Sequence, residues 1–140
     1  MPDYTLKRDG QRPLAFDGTL IAESRWHDYA HAPTRWYDLS VSQTTSGRYV
    51  VAWEYRSQWQ GESDHYAAED VLNLASVATL IEGFDPCAWL IAYRPLIERS
   101  AGQAEHYAAR QAQVERALTT AYRAQVRDLC ATLDIAEHLP

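Results

Sequence analysis

Residues 37–55, YDLSVSQTTSGRYVVAWEY, decide the fold. Tyr37, Leu39 and Val41 alternate with Asp38, Ser40 and Ser42, and Tyr49, Val51, Trp53 and Tyr55 alternate around Val50 and Ala52. A period of two is that of a strand with two unlike faces. Between the runs, Thr44-Thr45-Ser46-Gly47-Arg48 is turn chemistry, with Gly47 free to take positive φ. Two alternating runs around a short glycine-containing loop predict an antiparallel hairpin.

Working outward toward the N-terminus, Leu14, Phe16, Leu20 and Ala22 alternate with Asp17, Thr19 and Glu23, which predicts another strand. Gly18 in its middle points to a bulge or a close backbone approach. Tyr4 to Arg8, Asp9-Gly10 and the residues from Gln11 read as a first hairpin, with Pro13 at a strand edge. Residues 24–35, SRWHDYAHAPTR, lack either periodicity and read as a long loop. Beyond the central hairpin, Gln60-Gly61-Glu62 turns again and Ser63 to Ala67 adds a short edge strand.

From Glu69 the period changes. Val71, Leu74, Ala75, Ala78 and Ile81 fit one helix face, stopped by Gly83. Asp85-Pro86 predicts a second helix, capped by Asp and interrupted near Pro95. Ser100-Ala101-Gly102-Gln103 matches a capping box. Behind it Tyr107, Val114, Leu118, Tyr122, Val126, Leu129 and Leu133 form one stripe in a Pro-free stretch. A helix of about 30 residues would extend roughly 45 Å, longer than a compact domain of this size. The expectation is a broken helix, or one that overhangs and packs against a second copy in a homodimer.

The resulting fold class is α+β: an N-terminal antiparallel sheet of three to five strands packed against C-terminal helices, the last one long. The 140 residues are read as a single domain, strand-rich over 1–67 and helical over 69–135. The chain is acidic, with a net charge of −6, and residues 67–98 hold one cation, Arg94, against Glu69, Asp70, Glu82, Asp85 and Glu98. Such a field repels phosphate, so nucleic acid is a disfavoured partner. Cys87 and Cys130 are the only cysteines and make no disulfide framework. Residues 1–10, MPDYTLKRDG, lack the apolar core of a signal peptide, and no stretch approaches the roughly 18 apolar residues of a membrane span. A cytoplasmic protein, without membrane contact, is expected.

Five Trp and nine Tyr stand against two Phe, so most rings carry a polar tip suited to a half-wet surface. Trp59 lies at a turn beside Gly61, in RSQWQGE from Arg56 to Glu62. With Trp26 in the long loop and Trp36 at a strand start, it suggests a partner-binding surface of Trp26, Trp36, Arg56, Trp59 and Glu62, exposed aromatics flanked by Arg being the ingredients of a hot spot. The competing reading is that these rings cap the core. Arg116, Arg123 and Arg127 fall on one side of the long helix, either a stripe for an acidic partner or nucleic acid, or a solvated face.

Two segments carry partial catalytic signatures. His27-Asp28-Tyr29-Ala30-His31 resembles HExxH with Asp for Glu, and His65 or Asp64 would have to supply a third ligand for a metal-dependent hydrolase. The segment is short and meets Pro33, which favours a solvated loop. Cys87 in the first turn of an Asp85-capped helix would have a lowered thiol pKa, and His65 or His106 could serve as base. A small residue packed beneath Trp89 is the plainer reading. Neither is a complete constellation, so no catalytic residue, metal or cofactor is assigned and an enzyme is not expected.

Residues 14–64 carry LAFDGTLIAES, an Arg-Trp strand start, Ser-Gly-Arg-Tyr-Val after a hairpin turn, and a Ser-Gln-Trp-Gln-Gly-Glu close. This stretch resembles a family of small uncharacterised bacterial proteins carried by plasmids and other mobile elements. The resemblance implies no reaction or ligand. It makes plausible an acidic inhibitor or adaptor that binds and blocks a bacterial defence complex, in the manner of an anti-CRISPR protein.

Overall fold

The structure is a computed structural model that describes residues 1–25 and 34–135. The central hairpin forms as its alternation requires. Strands β4 (Arg35–Thr44) and β5 (Tyr49–Ser57) pair antiparallel, with Tyr37 opposite Tyr55 and Leu39 opposite Trp53. Gly47, at φ +85°, makes the turn. Around this pair, β3 (Gly18–Ser24) and β6 (His65–Val71) complete a four-stranded antiparallel sheet in the order β3-β4-β5-β6.

The run from Leu14 to Glu23 is not one strand. β1 (Tyr4–Leu6) and β2 (Leu14–Phe16) form a separate two-stranded ribbon, and the chain passes to β3 at Asp17-Gly18. Gly18 is there for close approach: a Cβ would lie 2.2 Å from the Gln43 carbonyl oxygen. The register shift falls later, between Leu20 and Ala22. The ribbon lies beside the sheet face that carries Val50, with Leu14, Phe16 and Val50 lining one cleft. Ser42, Val50, Ala52 and Ala68 are buried on that face. Asp9 ties the ribbon to the β6 edge, its N–H donating to the Tyr66 carbonyl at 2.8 Å and its carboxylate accepting from the Tyr66 N–H.

The other face holds the main core, where Tyr37, Leu39, Val41, Val51, Trp53 and Tyr55 meet the helices. The strand continues through Val71, past the expected change of period at Glu69, because residues 65–71 pair with β5 along their length. Helix α1 (Leu74–Gly83) starts only after Asn73, whose side chain accepts from the Ser76 N–H. Of the expected face it buries Ile81; Val77, outside that frame, is the other buried residue, while Leu74 and Ala78 are half-buried and Ala75 is exposed.

The helix expected after Asp85-Pro86 is absent from the described residues. Asp85 instead accepts from the Cys87 N–H in a local turn, and residues 86–93 run as successive turns. Pro95 does not break a helix; it opens one, α2 (Arg94–Arg99), where its missing N–H costs nothing. The capping box at Ser100 does not form either, since Ser100 closes α2 and Gln103 precedes α3 (Ala104–Thr132) without a side-chain cap.

Helix α3 is continuous over 29 residues. Leu118, Tyr122, Val126 and Leu129 of the expected stripe are buried against the sheet, joined by Gln111 and Gln125. Gln125 Nε2 donates to the Tyr37 carbonyl at 2.8 Å and reaches the Ser24 carbonyl and hydroxyl. Tyr122 donates its hydroxyl to the Ile81 carbonyl at 2.6 Å and accepts from Trp53 Nε1 at 3.0 Å. The helix ends in a Schellman turn, Asp134 N–H to Ala131 and Ile135 N–H to Cys130, with Asp134 at φ +55°. Among the described residues no helix is long and apolar enough to cross a membrane.

Candidate partner-binding surface

The turn that carries Trp59 is built by its neighbours. The Glu62 N–H donates to the Trp59 carbonyl, Gly61 takes φ +89° between them, and the Trp59 N–H donates to the Ser57 hydroxyl. Positive φ just before the closing residue is a role that glycine fills without strain. The turn delivers Glu62 inward. Its side chain is 1% exposed and that of Arg35, at the start of β4, is 8% exposed. Arg35 Nε donates to both Glu62 oxygens at 3.1 and 2.9 Å, and its terminal NH2 adds a third bond at 2.8 Å.

Two further donors complete the carboxylate's shell. The Tyr55 hydroxyl donates at 2.7 Å and the Ala92 N–H at 2.9 Å. Ala92 takes φ +45°, a left-handed conformation costly for a residue with a Cβ, and that conformation is held where its N–H meets Glu62. Burial pushes the Glu62 pKa up, but the Arg35, Tyr55 and Ala92 donors together outweigh it and hold the carboxyl below its ordinary range. Burial, followed by the bond to Glu62, raises the Tyr55 hydroxyl far above the usual phenol range.

Above this buried pair, Trp59 lies over the Arg35 guanidinium, 4.7 Å from charge to ring centre. Its other neighbour is Tyr93, edge-on at 5.7 Å. Tyr93 stacks on Tyr107 at 6.0 Å, and Tyr107 meets His106 at 5.3 Å. Rings from a turn, the 86–93 segment and α3 thus form one row. Trp59 is 37% exposed, and Ile91 and Leu96, close to Tyr93 in the chain, are exposed as well. The Tyr93 N–H is fixed from below by Gln111 Oε1 at 2.8 Å.

Of the five residues expected at one surface, the four described ones do not share it. Glu62 is corrected from a partner contact to a buried anchor beneath Trp59, because its carboxylate is consumed by protein donors. Trp36 follows Arg35 in a strand and so projects to the opposite face of the sheet. There it sits across from Arg56. Arg56 is engaged by acids of its own chain, with Glu54 at 2.6 Å, Asp64 at 3.1 Å and Asp38 at 3.9 Å. Of the four that the structure describes, only Trp59 stands in the aromatic row; Trp26 lies outside the described residues, as do His27, Asp28 and His31.

The thiol reading is corrected too. With no helix beginning at Pro86, Cys87 has no helix dipole to lower its pKa; burial raises it instead. Its Sγ faces the Glu115 carbonyl at 3.7 Å and the Thr119 hydroxyl at 3.5 Å. His65 is no base for it, since its Nδ1 pairs with Asp9 and its ring stacks flat on Trp89 at 5.3 Å. Asp64 is bound to Arg56 and to the Ser57 N–H. Among the described residues no three His, Cys, Asp or Glu side chains come close enough together to hold a metal ion.

Arg116, Arg123 and Arg127 are exposed on α3, and no carboxylate among the described residues lies within ion-pair reach of them. Tyr93, Tyr107 and Arg35 were missed by sequence reasoning as members of the surface. Tyr107 carried a helical-stripe signal, but nothing local joins it to Trp59, 48 positions earlier in the chain.

Comparison with known proteins gives no relative. No protein-family model, no curated protein and no solved structure matches the chain.

Proposed function

We propose that the chain is a protein-binding module that engages its partner through the Trp59–Tyr93–Tyr107 row. One observation carries this reading: an exposed Trp lies over a buried ion pair instead of being folded into the core. Tyr and Trp give large contact area at small entropic cost, and such anchors supply most of the energy of an interface. The rim is adaptable, with Ile91 and Leu96 offering apolar area and His106 a polar edge.

The resemblance of residues 14–64 to proteins of mobile elements makes a bacterial defence complex the first partner class to try, with the chain as an inhibitor or adaptor acting in the cytoplasm. Self-association along α3 is the lesser possibility, since its outward face would bring Arg116, Arg123 and Arg127 against like charges. The test is an affinity capture from bacterial lysate with native protein and Trp59→Ala, read by mass spectrometry. A complex retained by the first and lost with the second, while both melt alike, supports the reading. A complex retained equally by both, or an empty capture, removes it.

A further inference from the structure

A second feature lies farther along α3. A groove of about 370 Å³ runs between the end of α1 and α3, lined by Glu82, Phe84 and Pro86 on one side and Tyr122, Arg123, Val126 and Arg127 on the other. That is within the usual size range of small-molecule sites. Its lining between the charged lips is mostly apolar, and the polar group there, the Thr119 hydroxyl, is already paired with Cys87 Sγ. Phe84 stacks on Trp53 at 5.0 Å and packs against Tyr122 at 5.7 Å. The Tyr122 hydroxyl is already used, by the Ile81 carbonyl and Trp53 Nε1. The floor therefore offers a ring and a valine, with no spare polar atom from Tyr122.

The rim is charged and asymmetric. Arg123 and Arg127 are one helical turn apart on the same side, which puts two guanidinium groups along one lip. No acid among the described residues pairs with either. Glu82 stands on the opposite lip. In a chain of net charge −6, two adjacent cations without a partner beside an apolar floor are matched by a ligand with the converse pattern.

We propose that this groove binds a small amphipathic carboxylate, its aromatic or aliphatic body on Phe84, Tyr122 and Val126 and its anionic head on Arg123 and Arg127. Glu82 orients the ligand, since a carboxylate turned the other way would face it. The site is separate from the Trp59 row. Arg123 is 16 residues beyond Tyr107, roughly 24 Å along the helix, so either proposal can fail without the other.

The probe is 3-phenylpropionate, titrated into 15N-labelled protein and followed by amide chemical shifts, with 3-phenylpropionamide as the uncharged control. Expected are saturable shifts confined to residues 82–86 and 119–127, about tenfold or greater weakening for the amide and for the Arg123→Gln/Arg127→Gln double variant, and tighter binding by Glu82→Gln. All substituted side chains are exposed, so the fold is preserved and the unliganded spectrum checks it. Equal binding of acid and amide, or an unaffected double variant, would reduce the groove to an unspecific apolar surface and overturn the proposal. So would shifts that fail to saturate up to the probe's solubility limit.

Discussion

Arg35 and Glu62 lie 27 positions apart in sequence and meet in a three-bond ion pair that has left the solvent almost completely. It ties the start of β4 to the end of the β5–β6 turn. Through the Ala92 N–H it also fixes the irregular 86–93 segment. Replacing one partner leaves the other charge buried, which typically costs about 3–5 kcal/mol. Glu62→Gln and Arg35→Met should each lower unfolding free energy by about that amount in chemical denaturation, while Glu62→Leu/Arg35→Met should cost much less than the sum.

The same pair sets an acid dependence. The folded-state pKa of Glu62 is lower than that of the unfolded chain, so its contribution is complete above the ordinary carboxylate range. It is lost as pH falls through that range toward the folded-state value. Stability measured from pH 7 downward should fall less steeply in Glu62→Gln than in the native protein. Parallel curves would mean that Glu62 does not carry the linkage.

Trp59→Ala separates binding from folding. The ring is more than one third exposed and rests on Arg35 and Tyr93, so its removal should cost little stability. Loss at a binding hot spot is about 2 kcal/mol or more, roughly 30-fold in affinity. Once a partner is in hand, calorimetric titration should show that loss with a near-native melting curve.

Tyr122→Phe keeps the ring and removes two buried bonds. Trp53 Nε1 and the Ile81 carbonyl would be left without this partner in the core, at a cost of about 1–3 kcal/mol. Thermal unfolding should show the loss, and the intrinsic fluorescence of Trp53 should shift with its changed surroundings.

Asp134→Gly should stabilise. Asp134 takes φ +55° in an exposed turn, and its acid faces the negative end of the α3 dipole. Glycine removes both penalties, for a gain of about 0.5–1 kcal/mol in denaturant unfolding. No gain would mean that the side chain has a compensating role.

What could be read in advance follows from the range of each interaction. The 37–55 hairpin and the Leu118–Leu129 stripe of α3 were legible because alternation and helical spacing are local signals of a single covered face. The end of β6 was not, since Val71 satisfies a helical frame with Leu74 and Ile81 as well as it does a strand, and pairing with Tyr49 decides between them. At Asp85-Pro86 good capping chemistry was present without a helix behind it, and at Ser100 the helix behind it begins later, with Gln103 in the capping position. The surface was legible only at Trp59. The role of Glu62 depends on Arg35, Tyr55 and Ala92, and no spacing rule brings those four together.

Helix α3 is unevenly anchored along its length. Its buried residues run from Gln111 to Leu129, whereas none of the residues from Ala104 to Arg110 is buried. Backbone amides of the distal half should exchange with solvent only when the whole domain opens, and those of the first two turns through local fraying. Tyr107 and His106 ride on that end, whereas the Trp59 turn rests on the buried Arg35–Glu62 pair. The aromatic row therefore joins a turn anchored by a buried ion pair to a helix end without a buried residue, and a partner bound there would register as slowed exchange at residues 104–110 before any change in the sheet.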